Sequence, residues 1–83
     1  MRPGVYVGAW GDFWCILASV TKYRTRYIAN KLELSSTWVH HEMRRYGGEL
    51  SNHPDTIIFK DKSKAEACAD YLNAEALMMK MKD

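Results

Sequence analysis

Residues 28–48, IANKLELSSTWVHHEMRRYGG, decide how the fold of this 83-residue chain is interpreted. The stretch predicts two short helices that are joined by a tight turn. The first helix runs from Thr25, a possible N-cap, to Leu32. Its buried side includes Ala29, a small residue that lets a second helix approach closely. Residues 33–34 form the turn between the two helices.

The second helix of the pair has signals at both ends. Ser35 or Ser36 is predicted to cap it, because a serine hydroxyl accepts a hydrogen bond from a free backbone N–H. Gly47 and Gly48 end it, since glycine adopts the left-handed conformation at little cost. Its buried side is marked by apolar residues at helical spacing, namely Val39, Met43 and Tyr46. A polar and basic side is therefore left facing away from the core.

The segments before the helix pair are short and apolar. Residues 5–10, VYVGAW, predict a short strand that is closed by Gly8 and Gly11. The run FWCILASV at residues 13–20 predicts a helix, because its apolar residues recur at helical spacing and Asp12 supplies a cap. A buried strand is the alternative for the same run.

The segments after the helix pair predict a β-hairpin and a final helix. TIIFK at residues 56–60 is the clearest strand, and the turn tetrapeptide NHPD connects it to a shorter strand at residues 49–51. Asp61 or Ser63 is predicted to cap a helix at about residues 64–79. The apolar stripe of that helix consists of Ala65, Cys68, Ala69, Leu72, Ala76 and Met79.

Positive charge is concentrated on the helix pair. The whole chain has a net charge of +2, whereas residues 22–45 have +4 and residues 46–83 have −2. The basic excess comes from Lys22, Arg24, Arg26, Lys31, Arg44 and Arg45, opposed by Glu33 and Glu42. A surface of this kind suits a polyanionic partner, although a solvated helical face gives the same pattern.

Several function classes find little support in the sequence. Cys15 and Cys68 lie in apolar patterns without a CxxC, so both are expected to be reduced core residues of a cytoplasmic protein. The longest apolar run, at residues 13–18, is too short to span a membrane, and no signal peptide is expected. No nucleophile–base arrangement, phosphate loop or zinc-ligand spacing is present. We therefore expect no enzymatic activity, no cofactor and no metal.

The helix pair resembles the helix-turn-helix family, and its winged form in particular. The residues that carry the resemblance are Ile28, Ala29, Leu32, Glu33, Leu34, Ser35, Val39 and Met43. The Arg44–Arg45 pair and a hairpin at residues 50–59, in the place of a wing, add to it. Residues 13–20 match the first helix of that family. Glu33 stands where the family usually has glycine, so it carries backbone strain if its φ is positive.

The resemblance implies both an architecture and a function. The fold is expected to be α+β in one domain, residues 1–83, with a helix-turn-helix core at residues 12–48. A hairpin or wing at residues 49–61 and a C-terminal helix at residues 62–81 complete it. The protein is expected to bind double-stranded DNA as a transcriptional regulator, with the helix at residues 35–46 in the major groove.

The implied DNA contacts lie on the second helix and at the start of the first. On the second helix they are Ser35, Ser36, Thr37, His40, His41, Arg44 and Arg45. Among these, Arg44 is the best candidate for a bidentate contact to guanine, and the two serines suit phosphates. Arg24 and Arg26, with Lys22, are assigned to phosphates as well. The hairpin tip, at residues 52–53, is assigned to the minor groove or the backbone.

Two other interpretations stay open. Residues 5–10 and 56–73 resemble strand and helix segments of RNA-recognition domains, in which Tyr6 and Phe59 would stack on bases of single-stranded RNA. A chain of this size is also compatible with a protein-binding inhibitor or adaptor, because fold does not fix function. In the DNA-binding case a homodimer through the C-terminal helix is expected. DNA binding weakens steeply with salt, whereas an apolar protein interface does not.

Overall fold

The computed structural model describes residues 4–81, which form four strands and three helices. The strands and helices are, in chain order, β1 (Tyr6–Trp10), β2 (Phe13–Leu17), α1 (Thr25–Leu32), α2 (Ser36–Arg45), β3 (Glu49–Leu50), β4 (Ile57–Ile58) and α3 (Lys62–Met81). Both hairpins are antiparallel. The expected α+β class with a C-terminal helix is confirmed.

β1 and β2 form a hairpin, so the helix predicted for residues 13–20 is wrong and the alternative strand is observed. Trp10 pairs with Phe13 across a two-residue turn. Gly11 has a φ of +58°, as the first central residue of such a turn requires, and Asp12 is the second turn residue rather than a helix cap. The strand forms because all five of its residues pair with β1, a contribution that lies outside the local pattern.

A short bridge joins the two hairpins. The backbone N–H of Trp14 donates to the carbonyl of Phe59 at 2.9 Å, and the N–H of Phe59 donates back at 2.7 Å. β3 and β4 pair through Glu49–Ile58 and Leu50–Ile57, which confirms the predicted hairpin over a shorter length. The strands therefore follow one another in the order β1–β2–β4–β3, and the helix pair is inserted between β2 and β3.

α1 ends in a Schellman motif whose left-handed residue is not glycine. The N–H of Glu33 donates to Asn30 at 3.2 Å, and the N–H of Leu34 donates to Ala29 at 2.9 Å. Glu33 has a φ of +58°, a conformation that costs an L-residue roughly 1–2 kcal/mol. The strain that the sequence predicted at this position is therefore present.

α2 carries its own signals at both ends. The Oγ of Ser35 accepts a hydrogen bond from the N–H of Trp38 at 3.3 Å, which confirms a serine cap. At the other end, the N–H groups of Gly47 and Gly48 close a second Schellman motif at 3.0 and 2.9 Å. Gly47 has a φ of +98°. Both ends of α2 are thus encoded by residues that adjoin the helix.

α3 covers the range expected for the C-terminal helix, residues 62–81, and is two residues longer at each end than the stretch at about residues 64–79. Asp61 precedes it and accepts hydrogen bonds from the N–H and the hydroxyl of Ser63, at 2.9 and 2.7 Å, as a cap does. The buried residues of α3 match the predicted stripe: Ala65, Cys68, Ala69, Leu72 and Ala76. Met79, the last residue of that stripe, is instead 56% exposed. The prediction for Met79 is wrong because the core ends before this turn of the helix.

α3 also holds the start of the described chain. The N–H of Val5 donates to Oδ1 of Asn73 at 2.8 Å, and Nδ2 of Asn73 donates to the carbonyl of Val5 at 2.9 Å. The amide group of Asn73 therefore substitutes for a neighbouring strand. It leaves no room for a side chain at Gly4.

The third helix of the core comes from the C-terminal side of the pair. One apolar cluster joins Ile28 and Ala29 of α1, Val39 and Met43 of α2, and residues 65–76 of α3. α3 thus provides the packing that the resemblance assigned to a helix before the pair. Because residues 13–20 begin as a strand, that assignment is wrong.

Candidate nucleic-acid interface

One side of α2 faces away from the core. Val39 and Met43 are fully buried, and Tyr46 is half-buried, as the stripe predicts. Most of the predicted contact residues lie on the exposed arc of α2, which consists of Ser36, Thr37, His40, His41 and Arg44. His40 is half-buried and the other four are exposed. The cap residue Ser35 is exposed beside this arc.

The two adjacent arginines of α2 have different environments. Arg44 is exposed, and within residues 4–81 no carboxylate lies within 4.0 Å of its guanidinium. Arg45 donates from Nε and Nη2 to Oε1 of Glu42, at 3.1 and 2.8 Å. Its guanidinium also lies 5.1 Å from the ring centroid of Tyr46 and 5.6 Å from that of Tyr71. Arg44 is accessible to a ligand, whereas Arg45 is held toward α3.

Glu42 fastens α2 to α3. Its side chain is only 7% exposed, and its Oε1 also accepts a hydrogen bond from the hydroxyl of Tyr71 at 2.9 Å. The hydrogen bond from Arg45 lowers the pKa of the Glu42 carboxyl, Tyr71 assists, and burial opposes them. The same carboxylate raises the pKa of Tyr71. Glu42 is therefore charged at neutral pH and has a structural role.

The start of α1 carries three cations around one tyrosine. Arg24 is half-buried before the helix, whereas Lys22 and Arg26 are exposed. The Nζ of Lys22 lies 4.6 Å from the ring centroid of Tyr27, and the Cζ of Arg26 lies 5.2 Å from it. The hydrogen bond from Arg26, together with the charges of Arg26, Lys22 and Arg24, lowers the pKa of the Tyr27 hydroxyl. This end of α1 therefore presents a positive surface.

The tip of the second hairpin caps α1 from a distance. Thr25 is the first helical residue, and Arg24 at the N-cap makes no side-chain cap, so the predicted Thr25 cap is wrong. The carbonyl of Asp55 accepts a hydrogen bond from the N–H of Thr25 at 2.8 Å, and its Oδ2 accepts one from the N–H of Arg26 at 3.1 Å. The acceptor belongs to a different element of the fold, so the sequence beside α1 gave no sign of it.

The hairpin tip also reaches α2. Asp55 lines a shallow cavity of about 250 Å³ together with Ser36, Thr37 and His40. Through Asp55, the start of α1, the first turn of α2 and the hairpin tip meet on one side of the protein. We call this surface, made of residues 22–27, the exposed arc of α2 and residues 51–55, the convergent face.

His53 of the hairpin tip packs on two aromatic side chains. The ring centroids of Trp10 and Tyr23 are 4.2 Å apart, and the His53 ring lies 5.0 Å from Trp10 and 6.2 Å from Tyr23. The neighbouring Asn52 is exposed. The tip therefore rests against the turn of the first hairpin, and sequence reasoning did not foresee this aromatic cluster.

Other candidate sites are less suited to binding or chemistry. Phe59 is fully buried, so its stacking role in the RNA-recognition interpretation is wrong. Cys15 and Cys68 are buried and unpaired, as expected, and burial raises the pKa of their thiols to about 11 and about 12. Thiols with such pKa values are poor nucleophiles at neutral pH. Within residues 4–81, no group of three or more His, Cys, Asp or Glu is arranged to hold a metal ion.

A second cavity, of about 990 Å³, lies away from the convergent face. It is bounded by β1, the end of α1 and α3, and its charged residues are of both signs: Lys31, Lys62, Lys80, Glu66 and Asp70. Such a mixed lining indicates no particular ligand charge. In the described chain, residues 4–81, no helix has the length and apolar character of a membrane span. Comparison with models of known protein families, with curated protein sequences and with solved structures finds no match to this chain.

Proposed function

We propose that this protein binds double-stranded DNA as a transcriptional regulator, with the exposed arc of α2 in the major groove. The observation that carries the proposal is the convergent face. In helix-turn-helix proteins, the second helix of the pair enters the groove while the first crosses the backbone. Here the start of α1 and the exposed arc of α2 occur together with a hairpin tip. A cytoplasmic location belongs to the same proposal and agrees with the two unpaired cysteines.

Each part of the convergent face has a chemical role in this proposal. Arg44 presents the planar donor pair that matches the O6 and N7 atoms of guanine. Thr37 and His41, on the same side of α2, are placed to contact neighbouring base edges. Ser36, at the start of α2, and the cations around Tyr27 contact phosphates, which set the position of the protein on the duplex.

The proposal is tested by fluorescence anisotropy with a labelled duplex of mixed sequence at two salt concentrations. We expect salt-sensitive binding, because each phosphate contact contributes about 0.9 to the slope of log K against log salt. Arg44→Ala should weaken binding by about 5- to 150-fold, which corresponds to about 1–3 kcal/mol for a bidentate base contact. No binding at low salt by a protein whose fold is verified by circular dichroism would contradict the proposal.

Lys60→Ala is the charge-matched control for Arg44→Ala. Lys60 is exposed at the base of the second hairpin, where its Nζ lies 3.8 Å from Glu49. Removing it changes the net charge by the same amount but leaves the convergent face intact. We expect a change in affinity of less than about 3-fold, within the range of a distant surface charge. An equal effect of both substitutions would show that α2 is not the reading helix.

We further propose that a second copy of the chain covers the end of α3. Met79 lies on the buried side of the helix yet is exposed, so α3 projects past the core. The large apolar residues there are each more than half exposed: Leu77, Met78, Met79 and Met81. The outward side of α3 is apolar at heptad spacing, as a helix–helix seam requires, through Ala67, Ala74, Met78 and Met81.

Sedimentation equilibrium tests the homodimer. The double variant Met78→Glu/Met81→Glu should be monomeric at concentrations where the unmodified protein is dimeric. Leu50→Glu is the matched control, because Leu50 is 64% exposed but belongs to β3. A dimer that survives the double variant, or a monomer at all concentrations, contradicts this proposal.

A protein-binding inhibitor or adaptor is the second candidate function. The exposed apolar end of α3 is the observation that favours it, because large exposed apolar patches often mark protein interfaces. The two candidates differ in their response to salt. Duplex binding through phosphates weakens steeply between low and high salt, whereas binding through Met and Leu side chains is nearly unchanged.

A further inference from the structure

Tyr27 stands at the centre of the positive end of α1. Lys22 and Arg26 both precede Tyr27 in the sequence and are four residues apart, yet both of their charged groups lie close to its ring, at 4.6 and 5.2 Å from the centroid. The Nη2 of Arg26 is also 3.5 Å from the hydroxyl of Tyr27. Cations at these distances are attracted by the electron-rich face of the ring.

Among the residues that the structure describes, the cations of this cluster have no acid as a partner. Within residues 4–81, no carboxylate oxygen lies within 4.0 Å of the charged groups of Lys22, Arg24 or Arg26, whereas Arg45 is paired with Glu42. The nearest acid on the adjoining hairpin, Asp55, accepts a hydrogen bond from the main chain of Arg26, not from its guanidinium. The positive charge around Tyr27 is therefore available to an external anion.

Long, exposed cationic side chains normally lose rotamer freedom when they bind a ligand, and this loss of entropy weakens binding. The Tyr27 ring removes part of that loss, because it already holds both charged groups in the free protein. The ring itself is fixed, since Tyr27 is half-buried and packs against the core. A rigid aromatic plane thus organises two flexible cations at the start of a helix.

We propose that Tyr27 is a positioning residue that gathers Lys22 and Arg26 into one anion site, which takes a phosphate of the DNA backbone. The inference rests on the proposed function for the identity of its ligand. According to this inference, the side chain of Tyr27 determines the geometry of the phosphate contact at the start of α1. The lowered pKa of the Tyr27 hydroxyl agrees with the concentrated positive potential at this site.

The first experiment uses inorganic phosphate and the unmodified protein, so that it does not depend on DNA. Phosphate is titrated while the NMR signals of the Tyr27 ring and the Arg26 Nε are followed. We expect saturable shifts at both groups, and at least about 5-fold weaker binding in Tyr27→Leu, the change that a loss of preorganisation for two side chains implies. Equal phosphate affinity in Tyr27→Leu, or shifts confined to other residues, would overturn the inference.

The second experiment measures the salt dependence of duplex binding in three variants. Tyr27→Leu should reduce the slope of log K against log salt by about 1, as should Lys22→Ala/Arg26→Ala, because one phosphate contact is lost. Tyr27→Phe keeps the ring and should keep the slope. Thermal melting of all three variants is measured alongside. Together with Tyr27→Phe, it shows whether a reduced slope in Tyr27→Leu comes from the missing ring or from a disturbed core. An unchanged slope in Tyr27→Leu would overturn the inference.

The two experiments separate the inference from the proposed function. If the protein shows no duplex binding but phosphate binds at Tyr27, the DNA-binding proposal falls and the anion site stands. If the duplex binds with the same slope in the unmodified protein and in Tyr27→Leu, the positioning role falls and DNA binding stands.

Discussion

α1 and α2 end in the same hydrogen-bond motif, but they depend on different parts of the molecule. α2 begins at its own serine cap, Ser35, and ends at Gly47, which adopts the left-handed conformation without strain. α1 begins without a side-chain cap of its own and ends at Glu33, which is strained. Its first N–H groups are satisfied by Asp55 of the distant hairpin tip.

This difference shows that the two helices of the pair are stabilised by different parts of the chain. α2 is specified largely by neighbouring residues, so its helical tendency is carried by its own segment. α1 depends on the completed fold, because the hairpin must be in place before Asp55 reaches it. The part that carries the proposed base contacts is thus the more autonomous one.

The largest expected effect is at Gly48, where α2 meets the sheet. A Cβ at this position would lie 2.7 Å from the carbonyl oxygen of Met43 and would also clash with Ile57. We expect Gly48→Ala to lower the free energy of unfolding by roughly 2–3 kcal/mol, in the upper range for overpacking, as measured by urea denaturation.

Gly11→Ala is the control that isolates backbone conformation from space. Gly11 has a φ of +58°, but no heavy atom lies within 4 Å of a Cβ placed there. We expect a cost of about 1 kcal/mol from the left-handed conformation alone. If Gly48→Ala lowers the free energy of unfolding by no more than Gly11→Ala does, the close approach of α2 to the sheet does not limit stability.

The next effect concerns the attachment of α2 to α3 through Glu42. Because the folded state lowers the pKa of this carboxyl, its contribution is present above the ordinary glutamate pKa of about 4.3 and is lost as pH falls through the lowered value. We expect Glu42→Gln to melt at a lower temperature at pH 7 and to lose less stability on acidification. At pH 7, Glu42→Gln should lower the stability less than Gly48→Ala does, since glutamine still forms hydrogen bonds.

Thermal melts between pH 7 and pH 3 check this expectation, with Glu66→Gln as the control. Glu66 is an exposed glutamate of α3, so its substitution should leave the pH dependence nearly unchanged. Parallel curves for the unmodified protein and Glu42→Gln would show that the carboxylate does not fasten the two helices.

A smaller effect is expected at the distant cap of α1. Asp55→Ala removes the acceptor of the Arg26 N–H, so we expect a loss of about 1–2 kcal/mol, as for other helix caps. Hydrogen exchange should show the first amides of α1 opening faster, while those of α2 are unchanged. Ser35→Ala is the local counterpart and should instead expose the first amides of α2. Faster exchange of both helices in both variants would contradict the difference between them.

The smallest effect is a gain in stability at the end of α1. Glu33→Gly relieves the left-handed strain but makes the unfolded chain more flexible, so we expect a net gain of about 0.5–1 kcal/mol. The lost contact with Lys80, at 3.5 Å, joins two exposed groups and contributes little. Gly47→Ala, the reverse change at the end of α2, should be destabilising. A Glu33→Gly variant that is less stable than the unmodified protein would show that the turn is not strained.

Much of the fold could be predicted because the signals are local. The cap, the apolar stripe and the terminal glycines of α2 all lie within residues 35–48, and the sequence predicts each of them. The strand at residues 13–17 is only the alternative in the sequence prediction, because an apolar run suits a helix and a strand equally well. The decisive signal was the Gly11-Asp12 pair between two apolar segments, which favours a two-residue hairpin turn.

The candidate site was predictable on α2 and less so elsewhere. The buried positions Val39 and Met43 fix the direction in which the opposite residues point, so the exposed arc followed from the sequence. Arg45 is three residues from Glu42, yet the partner that completes their network, Tyr71, is 29 residues from Glu42. Asp55 is equally remote from α1. Contacts between residues so far apart in the sequence produce no periodic pattern from which they could be predicted.

The pairing of Val5 with Asn73 has a consequence for the order in which the chain folds. These residues are 68 positions apart, so the residue that precedes β1 gains this partner only after nearly the whole chain has formed a closed loop. Contacts of such long sequence separation slow folding, because the entropy of closure is lost before the contact forms. On the ribosome, α1 and α2 leave the exit tunnel before α3 does, because the chain emerges from its N-terminal side. We therefore expect the nascent helix pair to remain an open, protease-sensitive intermediate until α3 emerges and encloses it.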